Sequence, residues 1–215
     1  MILVPYDATE PKTRLAPVLG PGERSAFAAA MLRDVLTAVD NADHSHEISV
    51  LATEPIDSAL AGVDVDLTVD VDDRPLTPAV NAVLADFDEP VAVLTADLPL
   101  ITPATVVRLL GAGGADDVVL AAGRGGGTNA FVARHGAFRV DYHGVSYRDH
   151  QEGAQAVGAG VVELDTRRLA TDIDEPADLV EILVHGDQTR AGRWLADAGV
   201  ALEITDGRAT VVRDE

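Results

Sequence analysis

The sequence predicts a three-layer α/β fold built on a mostly parallel sheet. Short apolar runs alternate with segments of helical spacing along the whole chain. One run, residues 90–96 (PVAVLTA), is continuously apolar, the pattern of a central strand buried on both faces. The 215 residues suit a single domain, and an apolar share of 47% supplies a sizeable core.

Each element has its own signal. Ile2–Pro5 reads as a short buried strand. Residues 6–20 hold Pro11, Pro17 and Gly20, a long loop of the kind that carries function after a first strand. Across 22–39, Phe27, Met31, Val35 and Ala38 recur at helical spacing. Glu47–Ala52 and Val65–Val71 read as the second and third strands, and Thr77 as the cap of a helix running through Ala85. After the 90–96 strand, Thr102 and Pro103 open a helix as N-cap and N1. Asp117–Ala122 and Asn129–Ala133 are strands, Ser146–Val157 a helix and Gly160–Leu164 a strand. Glu175-Pro176 starts a helix with Leu179, Val180, Ile182 and Leu183, and Asp187–Ala198 is the last helix. The tail alternates around Asp206-Gly207, a hairpin signal. The expected organisation is one domain over 1–215 with a hairpin extension at about 201–213.

Composition excludes several classes. The chain has no cysteine, so disulfides, thiolate metal sites and a Cys nucleophile are out. No run is apolar and long enough to span a bilayer, and the start lacks a basic signal region, so a cytoplasmic protein is expected. Acids outnumber bases 36 to 16, giving −20, which argues against nucleic acid and anionic membranes as partners. The acids are mostly Asp, and Lys12 is the single lysine among the basic residues. That Asp-rich, Lys-poor balance resembles proteins of extreme halophiles, where concentrated salt screens self-repulsion.

In a sheet of this kind ligands sit beyond the carboxyl ends of the strands, and five segments there carry chemistry. Residues 4–17 (VPYDATEPKTRLAP) follow the first strand with Lys12 and Arg14, which an extended loop would project to one side, a point charge and a fork suited to phosphate. The segment matches neither a Walker A loop nor a dinucleotide glycine motif. In TADLPL, Asp97 ends the apolar strand, placed for a hard cation such as Mg2+, while Thr102 competes with it for the next helix cap. GRGGGTNA (123–130) combines Arg124, three consecutive glycines, Thr128 and Asn129, where backbone can approach a ligand closely. DYHGVSYRDH (141–150) offers either a helix cap at Ser146 or an anion pocket at a helix N-terminus. TDIDEPADL places Asp172 and Asp174 on either side of Ile173, as from a strand end, a second carboxylate for the cation; Asp174 is also close enough to cap the helix at Pro176.

Together PKTRLAP, RSAFAAAMLRDVL, the Asn-Ala of PAVNAVL, ADLPLI, GGGTNA, HGVSY with His150 after it, and DIDEPADL resemble the CofC family, the 2-phospho-L-lactate guanylyltransferases of coenzyme F420 biosynthesis, over roughly residues 1–198. The resemblance implies a nucleotidyltransferase-like, Rossmann-like fold and transfer of GMP from GTP to 2-phospho-L-lactate. It implies that Lys12 and Arg14 hold the triphosphate and that Asp97 with Asp172, Asp174 or both holds Mg2+. Thr53 and Asn81 would lie near the nucleotide; Thr128, His143, Gly144 and Ser146 would lie where relatives bind the phosphorylated acid, with Arg124 in the adjoining loop. Relatives suggest a homodimer. Phosphoenolpyruvate or phosphoglycerate are alternative acceptors, since they differ from phospholactate by small groups. A nucleotide-sugar glycosyltransferase and a catalytically dead nucleotide-binding module are the other readings.

Overall fold

The structure is a computed structural model that describes residues 1–42, 46–86 and 88–213. Its main sheet has seven strands: β1 (Ile2–Tyr6), β2 (Ile48–Ala52), β3 (Thr68–Val71), β4 (Val91–Leu94), β5 (Asp117–Ala122), β6 (Thr128–Ala133) and β7 (Gly160–Glu163). Their order is β3-β2-β1-β4-β6-β5-β7. Every neighbouring pair is parallel except those of β6, which runs antiparallel to β4 and β5. The connection from β5 to β6 is only residues 123–127, too short for the crossover a parallel pair needs. The 90–96 strand is therefore central but parallel on one side alone.

Strand alternation splits the core into two layers. Ile2, Val4, Ala92 and Leu94 face one side, with α1 (Pro21–Asp40), α3 (Pro103–Gly111), α5 (Arg167–Ala170), α6 (Leu179–His185) and α7 (Arg190–Asp197). Leu3, Val91, Val93 and Phe131 face the other, with α2 (Leu76–Asp86) and α4 (Ser146–Ala156). The helix from α1 is tied to α7 by a buried carboxylate: Asp34 accepts from the N–H groups of Arg190 and Ala191, both at 2.8 Å. The last strands, β8 (Val200–Thr205) and β9 (Arg208–Arg213), form the tail hairpin, with Asp206 and Gly207 at φ 51° and 75° as an Asx-Gly turn of this hand requires. The hairpin packs Val200 and Val211 on the α6–α7 side of the core. No helix among the described residues is long and apolar enough to cross a membrane.

Four local expectations are corrected. Thr77 lies inside α2, and its hydroxyl accepts from the Tyr142 N–H at 2.9 Å, so it ties α2 to the 141–145 loop rather than capping the helix. Ser146 is the first residue of α4, whose N-cap is Val145 without a side-chain bond; the Ser146 hydroxyl serves β6 instead. The last helix begins at Arg190 because Thr189 caps it, accepting from the Gly192 N–H at 2.9 Å. Residues 171–174 form no strand, and the turn that follows is capped in reverse: Asp178 accepts from the N–H groups of Asp174 and Glu175. Thr102 and Pro103 do open α3 as N-cap and N1.

Candidate active site

From β1 the chain builds β2 and β3 on one side and then crosses back to place β4 on the other, so the carboxyl ends of β1 and β4 open a crevice at the switch point of the sheet. A cleft of about 690 Å3 lies there. It is lined by the loop after β1 (Tyr6 to Arg14), the ends of β2 and β4, residues 72–76 and Asp174.

Lys12 is not in extended backbone. It takes the left-handed conformation (φ 54°, ψ 42°), and a 3-10 turn over Thr13–Leu15 follows, anchored by the fully buried Leu15. A non-glycine residue held at positive φ is a local cost of the kind found at functional sites. This conformation sends the ammonium into the cleft floor. Lys12 Nζ donates to Asp97 Oδ2 at 2.6 Å and to Asp174 Oδ1 at 3.4 Å, while the Arg14 guanidinium pairs with Asp174. The loop is further pinned by Thr53 at the end of β2, whose hydroxyl accepts from the Ala8 N–H at 2.9 Å and meets the Thr9 hydroxyl at 3.1 Å.

Asp174 reaches this point because its segment docks on the end of β4: the Ile173 N–H donates to the Asp97 carbonyl at 3.1 Å, and Ile173 is fully buried beneath. Asp172, one residue before, accepts from Asn129 Nδ2 at 2.9 Å; the same amide donates to the Leu169 carbonyl at 2.9 Å. Asn129 fits there because Gly123 has no Cβ, an atom that would stand 2.5 Å from the amide oxygen. The β6 ladder passes from Ala121–Ala130 to Ala122–Thr128, which leaves Asn129 as the extra residue of a β-bulge.

The charges are mutually set. Burial works against the Lys12 ammonium, but Asp97 and then Asp174 outweigh it and raise its pKa, so it stays cationic. Burial likewise opposes the Asp97 carboxylate, and Lys12 overrides it and lowers the pKa. Asp172 goes the other way: burial raises its pKa, Asn129 opposes this, and the negative Asp97 adds to the rise.

The remaining predicted residues are distributed differently. Asn81 does not line the cleft; its amide donates to the Val140 carbonyl at 2.9 Å and accepts from the Val140 N–H at 2.8 Å, bracing α2 against the 138–142 segment. Arg124 pairs with Asp178 and, at 3.7 Å, with Glu181. His143 is 82% exposed and pairs with Asp141 within its own loop, which raises its pKa. Gly144 sits beside it at φ 55° in open space. Thr128 and Ser146 are buried together: the Thr128 N–H donates to the Ser146 hydroxyl at 3.1 Å. The sequence reading named His150 within the resemblance but gave it no role, and it bonds the Thr128 hydroxyl from the interior; the Asp72–Arg74 ion pair on the cleft wall was not singled out. A hydrophobic signal could have flagged neither, since both contacts are polar; the His150–Thr128 contact also joins residues 22 positions apart, whereas Asp72–Arg74 is local.

The donor set suits a hard cation. Among the described residues no three His, Cys, Asp or Glu side chains form a ready cage. Mg2+ characteristically needs only one or two protein carboxylates, completing its shell with substrate phosphates and water. Asp97 Oδ1 is buried and has no hydrogen-bond partner, an oxygen left open next to the Lys12 contact.

A family model described as "Guanylyl transferase CofC like" matches residues 1–214. The chain belongs to the CofC family. A 2-phospho-L-lactate guanylyltransferase of Halomicrobium mukohataei is 58% identical over 212 residues, 99% of this chain and 98% of that protein. The protein of the same name from Halorubrum lacusprofundi is 53% identical, with 99% of each chain covered. As a CofC protein of this similarity the chain is a nucleotidyltransferase. The fold is shared more widely. A nucleotide-diphospho-sugar transferase-like structure from Desulfovibrio desulfuricans aligns at TM-score 0.68 with 16% identity, over 91% of this chain and 93% of that one. A nucleotidyl transferase from Methanothermobacter aligns at 0.58 with 19% identity, over 86% and 97%. The nucleotidyltransferase-like architecture expected for a CofC chain is thus the one observed.

Proposed function

We propose that this CofC chain transfers GMP from GTP to 2-phospho-L-lactate, forming lactyl-2-diphospho-5′-guanosine and releasing pyrophosphate. The observation that carries the reading is the meeting of Lys12, Asp97 and Asp174, from three distant parts of the chain, on the floor of one cleft at the switch point of the sheet. The names of the relatives support phospholactate as acceptor and a guanylyl group as the part transferred.

The acceptor phosphate is already ionised at neutral pH, so no general base is needed. One of its oxygens forms the new bond to the α-phosphorus of GTP as the bond to the bridging oxygen of pyrophosphate breaks in line with it. Positioning and charge neutralisation then account for catalysis. Lys12 and Arg14 face the triphosphate and offset charge growing on the leaving pyrophosphate. Because Lys12 is held between two carboxylates, phosphate oxygens compete for an ammonium that is already aimed into the cleft. Asp97, with Asp172 or Asp174, would hold Mg2+, which when bound would screen the phosphates and polarise the α-phosphoryl group. Asn129 holds the Asp172 carboxylate in place. Thr53 acts on the nucleotide side through the loop that it ties to β2. Thr128 and Ser146 present hydroxyls for the phosphorylated acid. The same reading carries a homodimer; Ile204, 74% exposed on the tail hairpin, is a candidate contact.

The test is pyrophosphate release in molar KCl with GTP and Mg2+, offering phospholactate, phosphoenolpyruvate and 2-phosphoglycerate in turn. Turnover with GTP and phospholactate above the other acids supports the reading. Preference for another acid reassigns the acceptor. Hydrolysis of a nucleotide sugar, or binding without turnover, overturns it.

A further inference from the structure

We propose that His150 is a positioning residue for the acceptor: it fixes the Thr128 hydroxyl as a hydrogen-bond donor toward an anionic oxygen of the phosphorylated acid. This rests on the reading above that Thr128 belongs to the acceptor site.

The direction of each hydrogen bond follows from one fixed donor. The backbone N–H of Asp141 donates to His150 Nε2 at 3.0 Å. A nitrogen that accepts carries no proton, so the neutral ring must be protonated on Nδ1. Nδ1 lies 2.9 Å from the Thr128 hydroxyl oxygen, which therefore accepts. The hydroxyl's own proton has to go elsewhere, and among the described residues no protein acceptor takes it. Ser146 is in the same state: its oxygen accepts the Thr128 N–H at 3.1 Å and its proton is uncommitted. A buried donor left unused is costly, so two of them side by side favour a ligand that brings acceptors only, such as a carboxylate or phosphate.

The ring cannot turn to reverse this polarity. His150 is fully buried and packs edge-on among Tyr142 at 5.0 Å, Phe138 at 6.1 Å and Phe131 at 6.2 Å between ring centroids. Burial pushes its pKa down to about 4 against the opposing pull of Asp149 and Asp141, so the ring is neutral wherever the enzyme works near neutrality. Thr128 faces His150 because of the bulge at Asn129. Strict alternation would put Thr128 with Ala130 and Val132 on the α1 side; the extra residue turns it to the side of Phe131.

The experiment is steady-state kinetics in molar KCl on H150L, H150Q, T128V and the double variant H150L/T128V, varying the acid and GTP separately. H150L is expected to raise the KM for the acid about tenfold, the size of one lost hydrogen bond to a charged acceptor, with the KM for GTP unchanged. H150Q, whose amide can donate to Thr128 and accept from Asp141, recovers most of the loss. The double variant is no worse than T128V alone. An H150L enzyme with unchanged KM for the acid, or with both KM values raised alike, overturns the proposal. If T128V leaves the KM for the acid unchanged, the acceptor-site reading itself fails; if T128V raises it and H150L does not, only the role of His150 fails. Should H150L not fold, 15N NMR of the wild-type imidazole decides: protonated Nδ1 is expected, and protonated Nε2 overturns the proposal.

Discussion

Two polar clusters flank the β4–β6 boundary, and they are built on opposite principles. Lys12, Arg14, Asp97 and Asp174 are charged, line an open cleft and hold each other by ion pairs. Thr128, Ser146 and His150 are neutral, buried, and ordered by a hydrogen-bond chain that starts at one backbone N–H. Charge is affordable where water and counter-ions remain at hand; where water is excluded, an unpaired charge costs far more than a neutral donor, and direction replaces charge as the means of recognition. The charged cluster therefore suits a triphosphate that brings its own cation, and the neutral one suits a small acid selected by shape and by where its oxygens fall.

The comparison breaks first at Lys12. K12A removes the ammonium that Asp97 and Asp174 share, leaving Asp174 only its pair with Arg14, and turnover measured by pyrophosphate release should fall by about a hundredfold or more. A turnover near that of the wild type would remove the charged cluster from catalysis. Acid sharpens the contrast next. The folded pKa of His150 is about 4, below the ordinary 6.5, so the unfolded chain binds the proton first as pH falls. His150 thus withdraws stability between pH 6.5 and pH 4, on the order of 3 kcal/mol in all, and its contribution is intact only above that window. Asp97, with its lowered pKa, keeps its contribution throughout and loses it only at more acid pH. Denaturant midpoints of wild type and H150L across pH 4–7 should converge toward the acid end; parallel curves would contradict the buried neutral ring.

Asn81 tests where the nucleotide side ends. N81A removes both bonds to Val140 and should cost about 1–3 kcal/mol of stability, with the KM for GTP unchanged; a raised KM for GTP would return Asn81 to the nucleotide. The smallest effect is expected at Arg14. Its side chain is 67% exposed, so R14A should change the thermal midpoint by less than the equivalent of about 1 kcal/mol, while raising the KM for GTP severalfold. A large loss of stability would mean that the Arg14–Asp174 pair holds the fold rather than the phosphate.

Much of the charged cluster was legible before any coordinates. The lone lysine after a first strand, an Asp closing a continuous apolar run, and Asp172 and Asp174 ahead of a proline-started turn are local patterns with local causes, and the structure brings Lys12, Arg14, Asp97 and Asp174 into contact. The extended loop expected at Lys12 was not found, because a left-handed residue and a 3-10 turn do the aiming. The neutral cluster was only half visible. Thr128 and Ser146 stood in recognisable segments, Ser146 as either a cap or part of an anion pocket, while His150 appeared only within the resemblance and with no role of its own.

By itself the sequence determined the alternation of strands and helices, the two-layered core and which segments lie at the carboxyl ends of the strands, because periodicity and turn chemistry act over a few residues. Tertiary structure decided which face Thr128 sees, which nitrogen of His150 carries the proton, and that Asn81 braces a loop. Each of these depends on a partner 9 to 59 positions away along the chain or on one extra residue in a ladder, and a hydrogen bond's direction exists only once both of its ends are in place.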